Sequence, residues 1–199
     1  MPTRWQFVLA ATVSAVVFAT PLVFAMHRNN QLRNFRVVED GVLYRSGQLT
    51  PAGLDRVIHD YGIKSVVTLR TTRTAALPPD TWEEGVCASK GVNHFRIVPR
   101  VWGADEKGEV PAEQAVQEFL AVMEKKENHP VLVHCFAGIH RTGTMCAIFR
   151  MEYHGWTVER AMEEMQLYGF APEDMHQHIA VYLRDYEARR KLAGPNPGR

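Results

Sequence analysis

The stretch Pro130-Val-Leu-Val-His-Cys-Phe-Ala-Gly-Ile-His-Arg-Thr-Gly143 decides how the rest of the chain is read. Pro130 to His134 is short, apolar and β-branched, the pattern of a buried strand, and Met145, Ile148 and Phe149 repeat at helical spacing just beyond it. Strand, tight loop and helix therefore follow one another without a break. Backbone N–H groups in such a loop turn inward and the helix dipole adds partial positive charge, which makes a concavity for a tetrahedral oxyanion. Gly138 permits the turn, and Arg141 offers a planar, permanently charged fork that can hold two phosphoryl oxygens at once. Cys135 sits at the mouth of this cradle, where the same field favours the thiolate, its nucleophilic form.

Working outward, residues 35–46 read as a β-hairpin turning at Gly41, and Thr50-Pro51 caps a helix whose Leu54, Val57, Ile58 and Tyr61 share one face before Gly62. Residues 63–69 form a further buried strand. A polar loop with Pro78-Pro79, a helix over about 80–89 and a strand over 92–98 come next. A loop over 99–110, a helix over about 111–126 and the strand at 130–134 follow, and helices over about 141–153, 157–167 and 172–191 finish the pattern. Strands separated by helical crossovers predict an α/β fold with a mostly parallel central sheet flanked by helices.

The N-terminus stands apart. Phe7 to Met26 is a run of twenty uncharged residues between Arg4 and the basic His27, Arg28 and Arg33, close to the roughly 20 apolar residues that a spanning helix requires. The run predicts an N-terminal apolar helix over 1–30 acting at a membrane. It reads as a single-pass anchor or as a cleavable signal peptide cut near Val23-Phe24-Ala25. Its length and the basic residues after the possible cut favour the anchor. The remaining division is a domain over 31–192 and a flexible Gly/Pro tail over 193–199.

Composition narrows the function. The chain has 199 residues, 46% hydrophobic and 23% charged, which is ordinary globular composition. Residues 1–30 hold two of the 23 Lys and Arg and none of the 22 Asp and Glu, so the body carries 21 basic against 22 acidic side chains, and its bulk charge excludes a nucleic-acid partner. Cys87, Cys135 and Cys146 are too few and too scattered for a disulfide framework. His176 and His178, two apart on the expected last helix, should face different ways, so no metal site is expected, and the chemistry calls for no cofactor.

His134-Cys135, five residues, then Arg141-Thr142 is the HC-x5-R-[ST] pattern, and on it the chain resembles the protein tyrosine phosphatase superfamily. Gly41 to Gln48 and Thr68-Leu69-Arg70 are similar to the atypical dual-specificity branch, including enzymes that act on inositol pyrophosphates. The resemblance implies a cysteine-dependent hydrolase of phosphomonoesters that passes through a phosphocysteine. Its substrate would be a phosphorylated protein, phosphotyrosine above all, or a small phosphorylated molecule. The inositol-directed enzymes read Gly-Lys-His-Arg-Thr-Gly in the loop. Here Ile139 replaces the lysine while His140 is kept, which argues against a highly anionic substrate.

Roles follow residue by residue. Cys135 is the expected nucleophile, Arg141 the phosphoryl clamp, Thr142 a hydroxyl near the thiolate or a helix cap, and His134 a support on the opposite face of the strand. Phe136, Ala137, Gly138, Ile139, His140 and Arg141 are the expected substrate-binding wall, with Arg45, Arg70, Arg73, Arg96 and Arg100 as candidate linings for a more anionic pocket. A phosphomonoesterase also needs an acid for the leaving oxygen. Asp105, thirty residues before Cys135 in the loop at 99–110, is the candidate, with Glu106 and Glu109 as rivals. An inositol phosphate or phosphoinositide phosphatase, a phosphate-binding pseudophosphatase and a sulfurtransferase are the alternatives. The intact Cys135, Arg141 and Thr142 disfavour the second, and the spacing disfavours the third.

Overall fold

The computed structural model describes residues 4–70, 81–171 and 176–193. After a helix α1 (Arg4–Gln31) the chain forms the hairpin β1 (Arg36–Glu39) and β2 (Leu43–Ser46). Gly41 takes φ 71° in its turn, a left-handed conformation that favours glycine. Helix α2 (Pro51–Tyr61) starts where Thr50 Oγ1 accepts the Gly53 N–H at 3.1 Å and stops at Gly62, φ 61°. Then come β3 (Ser65–Thr68), α3 (Thr81–Ser89), β4 (Asn93–Arg96), α4 (Glu113–Glu124), a single 3₁₀ turn at Lys126–Asn128, β5 (Val131–His134), α5 (His140–His154), α6 (Val158–Leu167) and α7 (Gln177–Ala193).

The five strands lie in the order β1-β2-β5-β3-β4. β2, β5, β3 and β4 pair in parallel, and β1 joins antiparallel to β2, so the sheet is mixed rather than purely parallel. β5, with the decisive loop at its end, is central. Its side chains alternate as a strand's must. Val131 and Val133 join the core against α4 to α7, and Leu132 joins the opposite core with Tyr44, Leu54, Val57, Val66 and Cys87. His134 takes the same face as Leu132, whereas Cys135, one residue on, belongs to the other core.

One expectation is corrected. Among the described residues no helix is long and apolar enough to cross a membrane, which removes the single-pass anchor through residues 7–26. Within α1 the uncharged run is broken up by Thr12, Ser14, Thr20 and Pro21. A missing charge along the chain is thus not equivalent to a spanning helix. The loop at Pro78-Pro79, Arg73, the expected helix start at Pro172 and the tail from residue 194 lie outside the described residues.

Candidate active site

The loop between β5 and α5 is fixed from outside. The Phe136 carbonyl accepts the Gln48 N–H at 2.9 Å, the Ala137 carbonyl accepts Asn34 Nδ2 at 2.8 Å, and the Gly138 carbonyl accepts Arg45 Nη2 at 2.7 Å. A trans peptide points its C=O and its N–H in opposite directions, so three carbonyls held outward leave the N–H groups of residues 137, 138 and 139 turned inward. One is already engaged: Gly138 N–H donates to Cys135 Sγ at 3.2 Å. Two glycines make the close approach possible. A Cβ on Gly138, whose φ is 76°, would lie 2.5 Å from Gly47 N, and a Cβ on Gly47 would lie 2.9 Å from the carbonyl oxygens of Phe136 and Ala137.

Arg141 is half-buried in the first turn of α5 and donates through Nη1 to the Leu69 carbonyl at 3.1 Å, which ties its guanidinium to the end of β3. The Thr142 hydroxyl is buried without a hydrogen-bond partner, and no side-chain cap bond starts α5, so it does not serve as the helix cap. Arg45, buried in β2, also lies over the Tyr168 ring at 4.8 Å and is a structural support of the loop rather than a pocket wall. Arg96 pairs with Glu84 at 2.7 Å and Arg70 donates to Gln48 Oε1 at 2.9 Å, which leaves Arg100 as the one described arginine of the five that lines the Cys135 cavity.

Behind the loop lies a buried polar chain. His134 Nε2 meets Glu83 Oε1 at 2.9 Å, and His134 Nδ1 meets the Cys135 carbonyl at 3.4 Å. Glu83, only 2% exposed, also binds His94 Nε2 at 3.0 Å through Oε1 and Gln48 Nε2 at 3.1 Å through Oε2. Burial pushes the Glu83 carboxyl up, but hydrogen bonds to His134 and His94 outweigh it and bring the pKa down to about 2. Sequence reasoning missed Glu83 because neighbouring Glu83 and Glu84 read alike in a short helix. The partners that distinguish them arrive from β4, β5 and the residues after β2.

The cavity over Cys135 has a volume of about 510 Å³. Arg100, Arg141, His140, His176 and His178 supply its polar walls, and Val101, Trp102, Phe136, Ala137 and Ile179 its apolar ones. Ile139 instead turns towards the core, with Cδ1 3.5 Å from the place a Cβ on Gly169 would take. His176 precedes the first turn of α7, and its ring lies tilted by 39° against that of His140 with centroids 3.7 Å apart, and 5.9 Å from that of His178. The expectation that His176 and His178 face different ways is corrected, because the two are not on one regular helical turn.

No carboxylate among the described residues lines this cavity. Asp105 is exposed, and its Oδ1 accepts the N–H groups of Lys107 and Glu109 at 2.8 and 2.9 Å, so it shapes its own loop. Asp105 and Glu109 line an adjacent cavity that shares Arg100 with the first. The other two thiols are inert fillers of the cores. Burial pushes Cys87 up to about 12, with help from Glu83 and Glu84, and Cys146 up to about 11.

A mixed central sheet whose middle, parallel strand delivers a Cys-x5-Arg loop onto a helix N-terminus is the arrangement of the dual-specificity class of protein tyrosine phosphatase fold. Residues 18–182 match the family described as a DSP-PTPase phosphatase fused to NAD⁺ kinase, and the chain belongs to that family, within the atypical dual-specificity branch. It is 44% identical over 55 residues to the dual specificity protein phosphatase TpbA of Pseudomonas aeruginosa, covering 28% of this chain and 25% of that one. It is 30% identical over 136 residues to the inositol diphosphatase DSP5 of Arabidopsis thaliana, covering 67% of this chain and 60% of the other. These matches span from a quarter to about three fifths of the relatives' own lengths. The catalytic core of the PP-IP phosphatase Siw14 from Saccharomyces cerevisiae superposes with a TM-score of 0.59 at 18% identity, over 83% of this chain and 96% of that one. TpbA itself superposes with a TM-score of 0.57 at 22% identity, over 78% and 91%. At such identities the superpositions establish the fold.

Proposed function

We propose that the chain is a cysteine-dependent phosphatase acting on phosphomonoesters, with phosphotyrosine or a dual-specificity protein substrate as the preferred class, and that residues 31–192 form its catalytic unit. The observation that carries this is the loop itself, with three carbonyls pinned outward and one inward N–H on the Cys135 sulfur. The loop N–H groups and the Arg141 fork receive the three non-bridging oxygens of the phosphoryl group. The Cys135 thiolate attacks phosphorus, the ester bond breaks, and the leaving oxygen takes a proton from Asp105 once the loop at 99–110 shifts across the shared Arg100 boundary. The same carboxylate then deprotonates the water that attacks the phosphocysteine. The sulfur leaves as a thiolate, received by Gly138 N–H and by the otherwise unpartnered Thr142 hydroxyl.

The apolar walls Val101, Trp102, Phe136 and Ile179 suit an aryl ring, and Arg100, His140, His176 and His178 hold anionic groups beside it. The test is Cys135→Ser. Its hydroxyl fits the same cradle but is far harder to ionise, so turnover should vanish while inorganic phosphate still binds. Hydrolysis at the unsubstituted rate would overturn the assignment. Phosphotyrosine, phosphoserine, phosphoinositide and inositol pyrophosphate assayed side by side fix the substrate class. Activity confined to the last would replace the protein substrate with an inositol one.

A further inference from the structure

Just outside the lip of the Cys135 cavity stands positive charge that the reaction scheme above does not use. Phe136, the residue after the nucleophile, forms part of the cavity wall and is 59% exposed. Two guanidiniums lie over its ring, that of Arg33 at 4.5 Å and that of Arg70 at 5.5 Å from the centroid. Neither arginine lines the cavity, so both stand outside it with Phe136 at the boundary.

Arg33 is held there by its neighbours. It is exposed in the segment between α1 and β1, yet its carbonyl accepts the Gly47 N–H at 2.7 Å. The next residue, Asn34, donates from Nδ2 to the Ala137 carbonyl at 2.8 Å. Asn34 adopts φ 49°, the one left-handed residue other than glycine among those described, and Leu32 and Phe35 on either side of the pair pack against the core of Tyr44 and Leu54. A long cationic side chain therefore leaves from a fixed point beside the catalytic loop. Arg33 enters no ion pair among the described residues, and Arg70 donates to Gln48 Oε1, a neutral amide, at 2.9 Å. A guanidinium has five N–H donors, and contact with an aromatic ring leaves them for an anion.

We propose that Arg33, with Arg70 beside it, is a specificity-determining subsite for an acidic side chain next to the phosphorylated residue of a peptide substrate. The proposal rests on the phosphatase reading and narrows its substrate class. With the phosphoryl group seated on Arg141, a second anionic group that meets Arg33 has to lie across the exposed Phe136 ring, outside the cavity. A side chain on the neighbouring residue of an extended peptide, whose backbone advances about 3.3 Å per residue, is such a group. Its methylenes rest on the apolar ring while its carboxylate meets the guanidiniums.

The test uses the full chain and three phosphotyrosyl peptides that differ only in the residues flanking the phosphotyrosine, which are Glu, Gln or Lys. At about 50 mM salt kcat/KM should be about fivefold higher for the Glu peptide than for the Gln peptide, lowest for the Lys peptide, and the ratio should shrink towards one at about 0.5 M salt. In Arg33→Gln the Glu-to-Gln ratio should fall to about twofold or less, and Arg33→Glu should favour the Lys peptide over the Glu peptide. The bonds that fix residue 33 are made by its backbone, so both substitutions leave them in place. A ratio of one in the unsubstituted protein, or a fivefold ratio that survives Arg33→Gln, would overturn the proposal. Binding of the same peptides to Cys135→Ser, read by fluorescence anisotropy, gives the ratio without turnover. A fivefold preference in affinity, lost in the Arg33→Gln form, together with no hydrolysis by the unsubstituted chain, would refute the phosphatase reading and leave the subsite standing. Turnover of all three peptides at equal kcat/KM would do the reverse.

Discussion

The loop at 135–139 and the loop at 99–110 contribute to the site in opposite ways. Each carbonyl from Phe136 to Gly138 is bonded to a residue at least eighty positions away, whereas the Asp105 carboxylate is bonded to Lys107 and Glu109 of its own loop. The backbone of the first loop is held by these bonds before any substrate arrives. In the second, Asp105 is held by two N–H groups of its own loop, and on the proposed mechanism it must exchange those two bonds to reach a leaving group. Electrostatic stabilisation works best when preorganised, while proton delivery tolerates movement.

The largest effect that would break this contrast lies in the preorganised half. Arg141→Lys keeps the charge but loses the bidentate fork and the bond to Leu69, so kcat/KM should fall by about a thousandfold. A loss under about fivefold would mean that Arg141 is not the clamp.

Asp105→Asn sharpens the other half. It should slow hydrolysis of tyrosyl and alkyl phosphates by about a hundredfold and of an activated aryl phosphate by far less, because the activated leaving group departs without a proton. The basic limb of the pH–rate profile for the tyrosyl substrate should flatten with it. Equal losses on both leaving groups would make Asp105 a structural residue, and the same pair of assays on Glu106→Gln and Glu109→Gln would identify the acid.

Much of this was legible in local signals. The turn at Gly41, the Thr50-Pro51 start and Gly62 stop of α2, and the alternation of strand and helix all depend on neighbours within a few positions. The Cys135-to-Arg141 spacing is local for the same reason. What the sequence concealed is long-range. Arg45 reads as one more arginine until its partner, the Gly138 carbonyl, is brought to it, and Glu83 reads as a surface acid until three partners from separate elements close around it. The uncharged N-terminal run misled because charge is only one of the conditions for a spanning helix.

The smallest expected effect follows from that concealed acid. The Glu83 carboxyl has its ordinary value of 4.5 in the unfolded chain and about 2 in the folded one, so its stabilising contribution is complete above about pH 4.5 and is lost as the pH falls towards about 2. Urea midpoints measured from about pH 6 to about pH 2 should fall across that window, and less steeply for Glu83→Gln. Parallel curves for the two proteins would remove Glu83 from the pH dependence.

The central claim is that Cys135 carries the phosphoryl group. Rapid acid quenching of a reaction with a phosphotyrosyl peptide, followed by mass spectrometry of the peptide containing residue 135, tests it directly. A phosphate adduct on Cys135 that forms and decays within one turnover, and is absent from Cys87 and Cys146, is the expected result. Turnover of the same substrate with the adduct on another residue, or with no adduct under quench conditions that preserve an authentic phosphocysteine standard, would contradict the account.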